Sequence, residues 1–131
     1  MRDIMFRGRK SNSDRWIYGF PFAVYSGLKI EGIETWDGER HLVDTKTVGQ
    51  WTGMRDKNNT KIFEGDIVKT KYGRLCVVTW FYSNTYIGWD LKPVDTPDNI
   101  IHTRAPDDWD VYAKDNLEVV GNIHDNPETR Y

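Results

Sequence analysis

Along most of this chain apolar and polar positions alternate with a period of two, and glycines or short polar clusters interrupt the alternation. Such a pattern sends successive side chains to opposite faces of an extended strand, while the interruptions mark turns. Ile4-Met5-Phe6-Arg7 ends at Gly8, a polar stretch runs from Arg9 to Asp14, and Trp16-Ile17-Tyr18-Gly19-Phe20 follows. This predicts a hairpin whose second strand carries Trp16, Tyr18 and Phe20 on one face. Val24 to Ile33, broken by Gly27 and Gly32, defines no clear element. Gly38 marks a turn, and His41-Leu42-Val43 reads as a brief strand.

The middle of the chain is better defined. Val48 to Gly53 reads as a strand ending at a glycine. Arg55 to Lys61 is a polar turn in which Asp56, Asn58 and Asn59 suit Asx-turn or left-handed geometry. Lys61-Ile62-Phe63 leads through a tight Glu64-Gly65-Asp66 turn into Ile67 to Thr70. Tyr72-Gly73 forms a hairpin tip before the strongest strand, Arg74 to Tyr82. There Leu75, Val77, Thr79 and Phe81 alternate with Cys76, Val78, Trp80 and Tyr82, so both faces are apolar and the strand is expected at a sheet centre. Tyr86 to Leu91 is its antiparallel partner. Pro93 to Pro106 is polar and proline-bearing, which predicts a long loop. Pro106-Asp107-Asp108 with Trp109, Tyr112 and Ala113 predicts one or two helical turns, with proline and acidic residues suited to the helix start. Leu117 to Ile123 is a last strand, stopped by Asp125-Asn126-Pro127.

Composition strengthens the β reading. Six Trp, seven Tyr and five Phe make the chain 14% aromatic, and such side chains pack well on a pleated surface. The 131 residues suit one domain, or two small ones sharing a core, and fold without disulfides or metal. A formal net charge of -2 is too balanced for strong bulk attraction to DNA or to an anionic membrane. The lone cysteine, Cys76, has no internal partner, which points to a reducing compartment such as bacterial cytoplasm. No apolar run has the length of a membrane span, and the first residues carry no signal-peptide h-region. Membrane proteins, secreted disulfide scaffolds and DNA-coating basic proteins therefore drop out.

The balance hides an asymmetry. Residues 1–47 carry a net charge of +1, residues 48–93 carry +3, and residues 94–131 carry -6. Solvated loops account for this simply. The split also allows steering of a charged partner or pairing between copies of the chain.

Several segments together resemble one family. Val48-Gly49-Gln50-Trp51-Thr52-Gly53-Met54-Arg55-Asp56-Lys57-Asn58 and Ile62-Phe63-Glu64-Gly65-Asp66-Ile67-Val68 are similar to the signature of the YopX family, small proteins encoded by phages and prophages. Trp16-Ile17-Tyr18-Gly19 matches that family's early W-x-Y-G. Leu117 to Glu128 matches its closing L-E-V-I-G-N-I-x-x-N-P-E, with Val120 in place of Ile. Asn59 departs by standing where the family usually has glycine, and Asn is the next-best residue for a positive φ. The resemblance spans nearly the whole chain. It implies an SH3-like small barrel in the C-terminal part and brings with it no biochemical activity, cofactor or catalytic residue.

Candidate chemistry is sparse. Glu64 and Asp66 on one turn supply too few oxygens for Mg²⁺ or Ca²⁺, so they read as a turn in which Gly65 gives the permissive backbone and Asp66 the cap. His41, His102 and His124 show no ligand spacing. His102 with Asp107, Asp108 and Asp110 is a metal cluster or, more simply, a solvated acidic loop. His124 beside Asp125 is an acid/base pair only if adjacent side chains converge. Cys76 reads as a small buried apolar residue, and no phosphate-cradling loop is present. Nothing here points to an enzyme, a metal or a cofactor.

Binding has a better footing. Trp51, Trp80, Tyr82, Tyr86 and Trp89 are flanked by Lys57, Lys69, Lys71, Arg74 and Lys92. Each base stacked on an aromatic ring contributes roughly 1–3 kcal/mol, although the same rings also serve as core. The expectation is a mainly β protein, with a β-rich N-terminal segment (residues 1–47), an SH3-like barrel or roll (residues 48–131) and one short helix, packed either as two parts or as one compact unit. Its role is that of a non-catalytic binding or regulatory accessory protein of a phage or prophage in the bacterial cytoplasm, with a protein partner or a second copy. The alternative is single-stranded nucleic-acid binding through Trp51, Trp80, Trp89, Lys69, Lys71 and Arg74. Gly49, Gly53, Gly65, Asp66, Gly121 and Asn122 are expected as turn and strand-end determinants.

Overall fold

The computed structural model describes residues 4–25, 29–82, 87–94, 103–104 and 109–126. The chain divides into two compact units, Met1–Trp51 and Thr52–Tyr131.

In the first unit β1 (Phe6–Arg9), β2 (Trp16–Tyr25), β3 (Lys29–Glu34) and β4 (Arg40–Val43) follow one another as antiparallel neighbours. The β1–β2 hairpin pairs Gly8 with Ile17 and Arg9 with Trp16. Its connecting turn places Asn12 at φ 62, a value that Asn tolerates better than most residues. A 3-10 turn at Thr45–Thr47 is capped by Asp44, whose carboxylate accepts from Lys46 N. The chain then enters β5 (Gly49–Arg55), whose start pairs with β1. Ile17, Ile33 and Val43 form the buried centre of this unit, with Phe6 and Val48 packed against it.

The second unit contains the end of β5, β6 (Lys61–Phe63), and a five-stranded antiparallel sheet. That sheet is built from β7 (Asp66–Thr70), β8 (Leu75–Tyr82), β9 (Ile87–Pro93), β10 (Thr103–Arg104) and β11 (Leu117–Asn122), in the order β10-β9-β8-β7-β11. The helix α1 (Trp109–Asn116) runs directly into β11. As the two-sided apolar pattern predicts, β8 is the central strand, and Cys76, Val77 and Val78 are all buried. Cys76 and Val78 join Ile62, Val68, Leu91, Ala113 and Leu117 in one cluster, and Met54, Trp89, Tyr112 and Val119 pack around it.

The molecule is therefore mainly β, in two antiparallel sheets with one helix, but among the described residues no barrel closes. Closure requires the two outer strands to pair. Here β11 pairs with β7, and β10 pairs with β9 over two residues. A register shift between Val119 and Gly121 also bulges β11, which leaves Val120 exposed. The strand expected to stop at Gly53 instead continues to Arg55. Thr52 carries it through by donating to the Ile62 carbonyl at 2.8 Å and accepting from Met54 N at 3.2 Å. Most of the long loop expected between Pro93 and Pro106 lies outside the described residues, as does Pro106 itself.

Candidate functional site

The residues that shape turns are held by dense local bonding. Gly65 adopts φ 89, donates to the Val78 carbonyl at 2.8 Å and accepts from Ile123 N at 3.0 Å. Asp66 is fully buried, and its carboxylate accepts from Phe63 N at 2.7 Å, which ties it to the turn. Asn122 closes the chain's last turn by accepting from His124 N and Asp125 N through one side-chain oxygen. Gly121 lets that turn approach, since a Cβ there would stand 2.4 Å from the Asn126 side-chain oxygen. Gly49 is buried at the start of β5, and Gly53 sits within that strand at φ 88.

Asp56 plays a larger part than its place in a polar turn suggests. It is 2% exposed. One oxygen accepts from Asn58 N at 2.9 Å and Thr60 N at 2.8 Å, while the other accepts from Val119 N at 2.8 Å. The first two bonds belong to an Asx turn, for which Asp-x-Asn-x-Thr is a recognisable signal. The third joins residues 63 apart in sequence, and no local pattern announces it.

The three candidate cations come together at one place. Lys69, Lys71 and Arg74 occupy the β7–β8 hairpin and are all exposed. The aromatic residue beside them is Tyr72, 86% exposed at the tip, with the Lys71 ammonium 5.1 Å from its ring centroid. Lys69 faces Leu75 on β8 and Glu118 on β11. Glu118 in turn pairs with Lys57 at 3.7 Å.

The tryptophans are placed differently. Trp80 and Trp89 oppose each other across β8–β9 with ring centroids 4.9 Å apart and planes at 81°. Trp89 packs on the core, whereas Trp80 is 52% exposed. By strand alternation Trp80 shares the face of Cys76 and Val78, and Lys69 points to the opposite face. Trp80 also stands five residues beyond Leu75, roughly 16 Å along the strand. Trp51 is half-buried in the first unit. Tyr86 lies outside the described residues, and Lys92 is buried.

A second aromatic surface stands on the first unit. Ile17 points into the core of that unit, so Trp16, Tyr18, Phe20 and Phe22 point to the other face of β2. Tyr18 and Phe20 are exposed, and Phe20 meets the ring of Trp36 edge-on at 4.8 Å. Trp36, on the β3–β4 turn, is 68% exposed. Arginines stack on the same rings. The guanidinium of Arg7 lies 4.7 Å from Trp16, that of Arg9 5.7 Å from Trp16, and that of Arg40 5.0 Å from Phe22. Arg40 also binds Glu34 at 2.9 Å. Beside Trp36, a hydrogen bond donated by the Thr35 hydroxyl holds the Asp37 carboxyl below the usual carboxylate range.

Groups suited to catalysis or metal binding do not converge among the described residues, where no cluster of three His, Cys, Asp or Glu could hold an ion. His41 lies 3.2 Å from Glu39, and His102 is outside the described residues. Cys76 is buried in the core. An open depression of about 430 Å³ is lined by Ser11, Asn12, Leu42, Val43, Asp44 and Thr45. No helix of the described residues is long and apolar enough to cross a membrane.

Fold and surface together define a mainly β protein of two antiparallel sheets that displays its aromatic and basic side chains on a strand face and a hairpin tip. Residues 6–129 match the family model of the YopX protein, and the chain belongs to the YopX family. A crystal structure of protein EF1440 from Enterococcus faecalis has a similar fold, with 22% sequence identity, a TM-score of 0.54 and 98% of each chain covered. No curated protein matches the chain.

Proposed function

We propose that this YopX-family chain is a non-catalytic binding or regulatory protein, serving a phage or prophage as an accessory factor in the cytoplasm of its bacterial host. The observation that carries this reading is the aromatic face of β2. Tyr18, Phe20 and Trp36 are exposed together above a sheet whose core is already filled on the other side. An apolar cluster of this kind on a soluble protein is a favoured place for a partner to dock. The second unit reads as an open relative of the SH3-like roll. Affinity capture from infected host lysate tests the proposal, comparing the tagged wild type with a variant carrying Tyr18→Ser, Phe20→Ser and Trp36→Ser. A stoichiometric partner held by the wild type and lost from the variant is expected. Identical recovery from both proteins removes this face from the function.

A second reading, nucleic-acid binding at the β7–β8 hairpin, is favoured by the meeting of Lys69, Lys71 and Arg74 around the exposed Tyr72. Replacing the three cations with Ala should weaken binding to an oligonucleotide and flatten its salt dependence. Unchanged affinity and salt slope would refute it.

A further inference from the structure

We infer that the occupant of the aromatic face on the first unit is single-stranded nucleic acid, held by base stacking on Tyr18, Phe20 and Trp36 with arginine contacts to phosphate. This rests on the binding reading above and names its partner.

Three observations favour this occupant over a peptide. First, β2 is an interior strand, paired with β1 on one side and β3 on the other. Its backbone donors and acceptors are consumed in those ladders, so an added peptide strand has nothing to pair with there. Secondly, the face offers flat rings rather than a walled groove. Phe22 lies over Gly32 of β3, where a Cβ would stand only 2.3 Å from the ring's Cζ. Alternate side chains along a strand are about 6.6 Å apart, a spacing that unstacked bases on an extended backbone can follow. Any base presents a π-face to such rings, whereas a peptide needs shaped pockets. Thirdly, two accessible arginines stand beside the rings. The register of β1 to β4 places Arg9 and Arg40 at this face, Arg9 3.9 Å from Asp14 and Arg40 2.9 Å from Glu34, whereas Arg7 is buried. The guanidiniums of Arg9 and Arg40 lie over Trp16 and Phe22, where they can exchange these carboxylates for phosphates beside a stacked base. An antiparallel sheet that stacks bases on displayed aromatics is a working solution to single-strand recognition.

The test uses the full chain and fluorescein-labelled oligo-dT and oligo-U of about 15 nucleotides, read by fluorescence anisotropy and by quenching of tryptophan emission. Wild-type protein should bind at low salt with affinity that falls as salt rises. Phe20→Ser and Trp36→Ser should each weaken binding roughly tenfold or more. Arg40→Gln should lower both affinity and salt slope, the latter by about one phosphate contact. Circular dichroism confirms that these surface variants remain folded. No binding by the wild type overturns the inference. So does binding that survives in the face variants and disappears only when Lys69, Lys71 and Arg74 are replaced. If oligonucleotides fail to bind while the serine triple variant still loses a captured protein, the nucleic-acid inference falls and the broader binding reading stands. Failure of both experiments removes both.

Discussion

The two units solve the same packing problem with different residues. The second buries a cluster of aliphatic and small side chains, Ile62, Val68, Cys76, Val78, Leu91, Ala113 and Leu117, buries Phe63 as well, and packs Trp89 and Tyr112 at the margin of the cluster. Among the described residues the first buries Ile17, Ile33 and Val43, and sends a row of aromatic rings to the opposite face of β2. The aromatic content therefore does not measure core size. In the first unit Tyr18, Phe20 and Trp36 are display, while branched aliphatics form the interior with Phe6 packed against them. The second unit resembles an ordinary core whose turns are fixed by buried carboxylates.

Core truncation breaks this contrast hardest. Leu117→Ala and Ile33→Ala should each cost about 2–5 kcal/mol, measured by urea denaturation, because both side chains are fully buried. A much smaller cost for Ile33→Ala would mean that the first unit's small core collapses around the gap. Asp56→Ala should cost about 3 kcal/mol, since three backbone N–H groups lose their acceptor at roughly 1 kcal/mol or more each. Asn, which keeps an acceptor oxygen, should recover part of the loss.

Smaller effects sharpen the picture. Gly53 has φ 88 and open space where a Cβ would go, so Gly53→Ala isolates backbone strain and should cost about 1–2 kcal/mol. Trp36→Ser should leave stability within about 0.5 kcal/mol, as a displayed residue requires; a loss of several times that size would make Trp36 structural instead. The last test is electrostatic. Asp37 titrates below the usual carboxylate range, chiefly through the Thr35 hydroxyl. Its contribution to stability is present above the ordinary carboxylate pKa and disappears as pH falls through the lowered value. Thr35→Val should move the Asp37 titration upward, as followed by carboxyl NMR.

Local features were open to reading from sequence, because they depend on neighbours. The β1–β2 hairpin, the strand pair around Tyr72-Gly73, the position of β8 and the strand after α1 follow from alternation and turn residues. That Trp16, Tyr18 and Phe20 share a face was equally legible. The closed barrel was not a safe extension of those strands, since closure depends on distant edges meeting. The cation cluster at Lys69, Lys71 and Arg74 follows from hairpin geometry. Its separation from Trp80, on the opposite face and farther along β8, depends on register, which sequence proximity conceals.

By itself, the sequence determined which residues extend, which turn and which side chains lie together on one side of a strand. A period of two sets those relations within a few residues. Only the tertiary structure decided which side faces inward. Alternation is symmetric, and the choice is made by what packs against the sheet. Tyr18 and Phe20 are displayed because Ile17, Ile33 and Val43 meet on the other face. Likewise, Asp56 becomes a tie across 63 residues only when β11 returns beside its turn.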